Sequence, residues 1–262
     1  MPDFPVPFAD IPLWATACVF AAHFLGFFIR GAFGFGSNMP IILLTAWLLG
    51  PHHAVVLVVV TACFAQVHLL PQGFAAADWK VAGPLCIGML VGISLGTWMF
   101  TLLATDWLTL VMGGLITTTL VMDRFRLLER MTAYIDLRAR PVTSSLALLS
   151  GFVGSISGGG GLYFLVVYLK LACKSALSLR STNIMLSGVF ILIRLILLVY
   201  AGFVSWPIVV ESLFLTPAVL LGSWMGTRLF HASSPERFFA ALQVLLLIAS
   251  LSLMVRGVVK IL

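Results

Sequence analysis

Gly151-Phe-Val-Gly-Ser-Ile-Ser-Gly-Gly-Gly-Gly161 is the most informative stretch of the chain, because it ends in four consecutive glycines that stand between two apolar segments. Each glycine inside a helix costs about 1 kcal/mol relative to alanine, so a helix that enters this stretch should open at Gly158 to Gly161. A second glycine-rich stretch, Gly31-Ala-Phe-Gly-Phe-Gly-Ser-Asn-Met-Pro40, stands near the start of the chain. The sequence therefore predicts two broken helices.

The segments around these breaks are apolar enough to lie in a membrane. Apolar residues make up 61% of the 262 residues and charged residues 9%, against roughly 45–50% and about 25% in a soluble domain. A transmembrane helix needs roughly 20 apolar residues. The predicted segments are 12–29, 31–49, 53–71, 81–103, 107–122, 142–156, 162–173, 176–200, 206–230 and 238–259. The expected fold class is an all-α polytopic membrane protein.

One long, charged connection divides the chain into two similar halves. A first membrane repeat covers 1–122, a basic connecting loop covers 123–141, and a second membrane repeat covers 142–262. Gly92-Ile-Ser-Leu-Gly96-Thr97 in the first half is matched by Gly222-Ser-Trp-Met-Gly226-Thr227 in the second. Repeated motifs in the same order indicate an internal duplication. The alternative is that small residues are simply common in membrane helices, because they let helices approach closely.

The basic residues predict which side each loop faces, since cytoplasmic loops carry an excess of lysine and arginine. We assume that the N-terminus lies outside and that each glycine-rich element returns to the side it came from. The basic positions then expected on the cytoplasmic side or at its boundary are Arg30, Lys80, Arg124, Arg126, Arg130, Arg138, Arg140, Lys170, Lys174, Arg228 and Arg237. Only Arg256 and Lys260 disagree. This topology predicts inverted repeats with Gly-broken or re-entrant helices in the inner membrane, and a cytoplasmic loop 123–141.

The same distribution explains the net charge of +6 without a nucleic-acid partner. Five of the fifteen basic residues lie in the connecting loop 123–141, where they are interleaved with acidic residues. Such a loop is typical of the cytoplasmic side of a membrane protein.

The breaks are the predicted substrate site. A helix that restarts after a break offers unpaired N–H groups and the positive end of its dipole, and both favour an anion. Pro40 suits the first turn of a restarting helix, where its missing N–H costs nothing. The alternative is a glycine-lined crossing between tightly packed helices. The candidate substrate-binding positions at the two breaks are Gly36, Ser37, Asn38, Ser157, Gly158 and Gly159.

Charged side chains inside apolar segments add further candidates, because each costs roughly 2.5–3.5 kcal/mol at the centre of a membrane helix and usually faces a cavity or a partner. Arg180 stands close to Thr182 and Asn183, and these donors suit carboxylate, sulfite or sulfonate oxygens. Alternatively, Arg180 snorkels to the cytoplasmic boundary. Arg194 and Glu211 are predicted either to pair as a structural bridge or to leave Glu211 as a proton carrier.

The histidines are weaker candidates for proton coupling. His23 and His68 lie within or at the end of apolar segments and can relay protons. His52 and His53 follow Pro51 in a short loop, and we expect them at the interface. The four cysteines are expected to be free, buried thiols. No cluster of histidine, cysteine and carboxylate has the spacing of metal ligands, so neither a metal nor another cofactor is expected.

The chain resembles the TauE/SafE (sulfite exporter) family of membrane transporters. The resemblance rests on the glycine-rich motifs Gly31–Pro40 and Gly151–Gly161, and on Ala176 followed by the pair Thr182-Asn183. It covers essentially the whole chain and implies a secondary transporter that exports sulfite, sulfoacetate or a related organosulfonate. The first motif reads Gly-Phe-Gly-Ser-Asn where the family commonly has three consecutive glycines. Two polar side chains therefore enter the expected site, and the identity of the anion stays open.

The predicted function is export of a small organic or sulfur-containing anion by alternating access. The expected partners are the anion, the lipid bilayer, protons as a candidate coupling ion, and a second copy of the chain. A passive anion channel is one alternative, and it would conduct current where a carrier saturates. An intramembrane serine hydrolase is the other, and it requires His23 or His68 within hydrogen-bond reach of Ser37. The second half has no matching histidine, so we expect no enzyme.

Overall fold

The computed structural model describes residues 6–34, 38–127, 130, 139–159, 162–230 and 236–261. These residues form ten α-helices and no strand. The first half contains α1 (Leu13–Phe33), α2 (Asn38–Leu49), α3 (Pro51–Ala76), α4 (Trp79–Leu102) and α5 (Thr105–Arg124). The second half contains α6 (Arg140–Ser157), α7 (Leu162–Ala172), α8 (Ala176–Tyr200), α9 (Trp206–Phe230) and α10 (Glu236–Ile261). The all-helical prediction is confirmed.

Six helices in the described part of the chain are long and apolar enough to cross a membrane, namely α1, α3, α4, α5, α8 and α9. In contrast, α2 has 12 residues and α7 has 11. Their lengths are about 18 Å and about 16 Å, too short for a hydrocarbon core of about 30 Å. The chain is therefore a multi-pass membrane protein, as its apolar segments predicted, and it also contains two short helices.

Each half begins with a helix that ends at a left-handed glycine and is followed by one of the short helices. Gly34 ends α1 and Gly158 ends α6, each with a φ of 79°. Only glycine adopts this conformation without a Cβ penalty, so both positions are natural helix ends. After the first break, α2 restarts at Asn38 with Pro40 in its first turn, as predicted. Residues 35–37 and 160–161 lie outside the described residues.

One predicted boundary was wrong. The apolar segment expected over 31–49 is not one helix, because α1 continues to Phe33 and a separate helix begins at Asn38. The break therefore follows Arg30 by one turn. As a consequence, Arg30 lies inside α1, with only 3% of its surface exposed.

The repeated Gly-x-x-x-Gly-Thr motifs form the closest helix crossings. A Cβ built on Gly96 of α4 would lie 2.5 Å from the Phe152 carbonyl oxygen of α6. A Cβ built on Gly226 of α9 would lie 2.9 Å from the Ala32 backbone nitrogen of α1. Each motif thus packs against the broken helix of the other half. Close packing, one of the two explanations considered for the repeated glycines, holds for this motif.

The first broken pair begins and ends at the same end of the helix bundle. Positions 24 and 28 of α1 meet Gly222 and Gly226 of α9 in that order, so α1 and α9 run parallel. Glu211 near the start of α9 contacts His53 near the start of α3, and α3 starts directly after α2 ends. Hence α1 starts and α2 ends at one end of the bundle, which we call the His53 end.

The second broken pair begins and ends at the opposite end. Positions 148 and 152 of α6 meet Gly92 and Gly96 of α4 in that order, so these helices also run parallel. Thr182, near the start of α8, accepts a 2.8 Å hydrogen bond from the backbone N–H of Asp78, which caps the start of α4. The starts of α4, α6 and α8 and the end of α7 therefore lie together, at what we call the Asp78 end.

The two basic residues that disagreed with the predicted topology have partners at the His53 end. Lys260 Nζ lies 3.7 Å from Asp106 Oδ1 at the start of α5. Arg256 donates a 2.5 Å hydrogen bond to the Trp47 carbonyl oxygen, close to the end of α2, and its guanidinium also lies over the Trp47 ring. Because a cation is favourable at a helix C-terminus, both charges are compensated locally.

Candidate functional site

Helix α8 carries the polar side chains that meet the two broken helices. It forms the centre of the protein together with α3, since these two have the largest buried fractions of the candidate spans, 56% and 67%. Arg180, Asn183 and Arg194 of α8 are buried, and each donates to a carbonyl oxygen at the end of a broken helix. The last carbonyls of a helix have no partner within that helix. Side chains of α8 therefore satisfy these groups at both breaks.

At the first break, Arg180 and Asn183 bind the end of α1. Arg180 Nη2 donates to the Gly31 carbonyl oxygen at 2.7 Å, and Asn183 Nδ2 donates to the Gly34 carbonyl oxygen at 2.8 Å. Arg180 also donates to Gln72 Oε1 of α3 at 3.1 Å. All these acceptors are neutral groups, and together they orient the guanidinium. Arg180 is only 4% exposed and does not snorkel to a surface.

The second break repeats this pattern with different side chains. Arg194 Nη2 donates to the Ser155 carbonyl oxygen, and Asn38 Nδ2 donates to the Gly158 carbonyl oxygen at 3.1 Å. Ser155 precedes the left-handed glycine by three residues, as in the first break. In both breaks an asparagine amide binds the carbonyl of the left-handed glycine, and an arginine binds the carbonyl three residues earlier.

The two breaks also touch each other. Asn38 belongs to the first break but donates to the second, and a Cβ built on Gly159 would lie 2.5 Å from the Asn38 Cβ. The predicted positions Asn38, Gly158 and Gly159 therefore lie side by side. Gly36 and Ser37, which complete the predicted set at the first break, lie outside the described residues.

Two predicted positions use their hydroxyl groups elsewhere. Ser157 Oγ donates to the Val153 carbonyl oxygen of its own helix at 2.7 Å. Thr182 Oγ1 accepts the backbone N–H of Asp78, so it holds the connection between α3 and α4. Ser157 ends α6 at the second break and Thr182 precedes Asn183 on α8, but these bonds serve the scaffold around the site.

The histidines predicted to relay protons are placed apart from these bonds. His23 is fully buried, and its Nδ1 lies 2.8 Å from the Val19 carbonyl oxygen one turn earlier. His23 Nε2 and His68 Nε2 are buried atoms without a hydrogen-bond partner among the described residues. Their role in proton coupling stays a prediction.

Glu211 pairs with His53, and not with Arg194. His53 Nε2 lies 2.5 Å from Glu211 Oε2, and the two side chains are 31% and 11% exposed. The structural bridge between Arg194 and Glu211 that the sequence left open is therefore not formed. The reason is topological, because Glu211 faces the start of α3 whereas Arg194 faces α6. His53, expected only at the interface, is thus a partner that the sequence did not reveal.

Three further polar residues at the first break were missed in the sequence. Arg30 Nη2 donates to Gln66 Oε1 at 2.6 Å, and Gln66 Nε2 donates to the Ile184 carbonyl oxygen of α8 at 3.0 Å. Gln72 accepts from Arg180. Gln66 is indicated by its position within the apolar segment 53–71, since polar residues in membrane helices usually have a partner, whereas Arg30 and Gln72 lie at segment ends.

Buried arginines bring positive charge into the membrane-spanning part of the protein. Neither Arg30 nor Arg194 pairs with a carboxylate among the described residues, and Arg30 Nε, Arg194 Nε and Arg194 Nη1 lack hydrogen-bond partners there. A cation at a helix C-terminus gains at most about 2 kcal/mol. Burying an ion costs several kcal/mol even after relaxation. The helix ends alone do not offset this cost, whereas a bound anion supplies both charge and acceptors.

The groups at the breaks are suited to recognition of an anion. Guanidinium, amide and backbone N–H groups are all donors, and charge-assisted hydrogen bonds to oxyanions are among the strongest in proteins. Within the described ranges, no three histidine, cysteine or acidic side chains come together to hold a metal ion. The four cysteines are free thiols, but they are half-buried and not fully buried as expected.

Membrane-spanning helices, two broken helices that meet and arginines at both breaks together define a membrane transport protein. The chain belongs to the sulfite exporter TauE/SafE family, whose model matches residues 18–253. This match confirms the family predicted from the glycine-rich motifs. The family consists of transporters, so the hydrolase alternative is wrong and the chain is not an enzyme. No curated protein and no solved structure matches the chain.

Proposed function

We propose that the protein exports a small sulfur-containing or organic oxyanion, such as sulfite, sulfoacetate or a related organosulfonate, and binds it at the two breaks. The observation that carries this proposal is the placement of Arg180 and Asn183 against the end of broken helix α1. Planar guanidinium and amide donors match the oxygens of a sulfite or sulfonate group. The remaining positions of the proposed site are Gly36, Ser37, Asn38, Ser157, Gly158, Gly159 and Thr182.

Alternating access is the mechanism we propose. The order of helices is the same in both halves, and the packing of α1 on α9 is repeated by α6 on α4. The two broken pairs start at opposite ends of the bundle, which supports the predicted inverted repeats. Such repeats allow one half to rock against the other around a central site.

We propose that the protein lies in the inner membrane and that its Asp78 end faces the cytoplasm. Lys80 begins α4, Arg124 ends α5 and Arg228 lies in the last turn of α9, all at that end. Loop 123–141 joins two helices there. The positive-inside rule favours this orientation.

Export of an anion needs no coupling ion, because an inside-negative potential favours its exit by about 2.3 kcal/mol per charge per 100 mV. If protons are coupled, the pair of His53 and Glu211 is the first candidate, since its two side chains lie 2.5 Å apart and can share a proton. His23 and His68 stay secondary candidates, and a homo-oligomer stays a prediction.

Anion-dependent thermal stability of the purified protein tests the substrate class. Wild type, Arg180→Ala and Arg228→Ala are heated with sulfite, sulfoacetate, taurine, thiosulfate or short carboxylates. Arg228 is exposed and lies over the Trp224 ring, so it controls for loss of one positive charge. Ligand at 100 times its Kd stabilises by about 2.7 kcal/mol, or about 5–11 °C in Tm.

We expect one anion class to raise the Tm of the wild type and of Arg228→Ala, but not that of Arg180→Ala. If the same anion also raises the Tm of Arg180→Ala, Arg180 is not part of the binding site. If no anion shifts the folded wild type, the proposed substrate class is wrong. In proteoliposomes, saturable sulfite flux with exchange supports a carrier, whereas unsaturable current supports a channel.

A further inference from the structure

Arg194 is the buried charge that the proposed site at Arg180 leaves unexplained. Its side chain is fully buried, and Nη2 donates to the Ser155 carbonyl oxygen at the second break. Nε and Nη1 have no partner in the part of the chain that the structure describes. The nearest candidate counter-ion in the sequence, Glu211, pairs with His53. Arg194 therefore keeps unused donors, about 21 Å along α8 from Arg180.

The surroundings of Arg194 are mostly apolar, but they contain two more polar groups without a partner among the described residues. The guanidinium carbon lies 5.5 Å from the centre of the Phe100 ring and 5.8 Å from that of Phe190. These rings attract the cation but accept no conventional hydrogen bond. Ser155 Oγ and Thr97 Oγ1 are buried and lack partners among the described residues. They lie in one layer, because a Cβ built on Gly96, next to Thr97, would lie 2.8 Å from the Ser155 Cβ.

We propose that Arg194 forms a second binding site for the transported oxyanion, with Ser155 and Thr97 as hydroxyl donors. An oxyanion there accepts hydrogen bonds from the unused guanidinium nitrogens and supplies the missing negative charge. Arginine offers only donors, so the site selects an anion over a cation. The inference rests on the proposed anion transport and deepens it, since the substrate then has two binding sites, one at each break.

A cleft of about 150 Å³ lies between α4 and α8. Thr97 and Leu197 line it, and Leu197 follows Arg194 by one turn of α8. Tyr200, at the other side of the cleft, is 94% exposed at the His53 end. Under the proposed orientation, an exported anion meets Arg180 first and Arg194 second.

The test counts sulfite ions bound per chain. Wild type, Arg194→Met, Arg180→Met and the exposed control Arg228→Met are equilibrated with ³⁵S-sulfite by dialysis under anaerobic conditions. The buffer is Tris chloride, because sulfonate buffers such as HEPES and carboxylates such as gluconate are organic oxyanions that compete for the sites. We expect two sulfites in the wild type and in Arg228→Met, and one each in Arg194→Met and Arg180→Met.

Each outcome decides between the two sites. Equal numbers and affinities of bound sulfite in the wild type and Arg194→Met overturn the second site and leave the proposed function intact. If the wild type binds one sulfite and only Arg180→Met fails to bind it, the second site is also overturned and the proposed function stays intact. A single sulfite lost only in Arg194→Met supports the site at Arg194 and removes the one at Arg180. No sulfite bound to the wild type contradicts this inference and removes sulfite from the proposed substrates.

Arg194→Lys keeps the inference testable if Arg194→Met does not fold. Lysine keeps the charge and can reach the Ser155 carbonyl, but it lacks the planar fork of the guanidinium. We expect an unchanged Tm without sulfite and an affinity lowered about tenfold at one site, which corresponds to one charge-assisted hydrogen bond. If Arg194→Lys binds sulfite at both sites with the affinity of the wild type, Arg194 does not bind the anion and only caps the end of α6.

Discussion

Adding one methyl group at Gly96 should push α4 away from the broken helix α6. A Cβ at this position would lie 2.5 Å from the Phe152 carbonyl oxygen and 2.8 Å from the Ser155 Cβ. The carbonyl is a backbone atom inside a helix and cannot rotate away. Ordinary contact begins at 3.4 Å, so the two helices must separate by about 1 Å to accommodate Gly96→Ala.

The expected cost follows from two opposing effects. Overpacking costs about 1–3 kcal/mol, while alanine gains up to about 1 kcal/mol of helix propensity over glycine. The net loss is about 1–2 kcal/mol, or about 2–8 °C in Tm for a chain of this size. Transport should fall further than stability, because Ser155 moves and its carbonyl oxygen is the acceptor of Arg194.

Gly114→Ala is the matched control. Gly114 lies within α5, and nothing lies within 4 Å of a Cβ built on it. This variant should keep or raise the wild-type Tm. The Tm is measured by size-exclusion chromatography of heated, detergent-solubilised protein, and transport by sulfite efflux from proteoliposomes. Equal Tm values for Gly96→Ala and Gly114→Ala would refute the close crossing of α4 and α6.

Three further predictions concern individual contacts. Asn38→Ala removes the hydrogen bond to the Gly158 carbonyl oxygen and should lower the free energy of unfolding by about 1 kcal/mol. Sulfite efflux should fall more strongly than this small loss of stability explains. Full efflux would show that the contact between the breaks is dispensable. Glu211→Gln keeps the shape of the side chain but removes its charge, so efflux should lose any dependence on an imposed pH gradient; a dependence equal to that of the wild type would assign proton coupling elsewhere. Lys260→Ala removes an ion pair whose side chains are 49% and 45% exposed. Since such pairs contribute about 0–1 kcal/mol, the Tm of this variant should stay within about 4 °C of that of the wild type. A larger fall in Tm would mean that Lys260 anchors α10.

The helices and the breaks were predictable from the sequence because their causes are local. Contact with lipid requires long apolar segments, and four glycines open a helix in any surroundings. The exception was the first break, where Gly31, Gly34 and Gly36 are all possible helix ends. The carbonyls of Gly31 and Gly34 are bound by side chains from α8, 149 residues away in both cases. Such a contact has no local signature.

Composition and glycine runs predicted an all-helical membrane protein with two broken helices, because both act through solvent and backbone alone. The partner of each charged side chain depends on contacts between distant parts of the chain, which no local pattern reveals. Arg180 and Arg194 lie on one helix and look alike in the sequence, yet they bind different broken helices because α8 passes between the two breaks. Glu211 is much nearer to Arg194 along the chain than to His53, but it meets His53 because α3 and α9 start at the same end of the bundle.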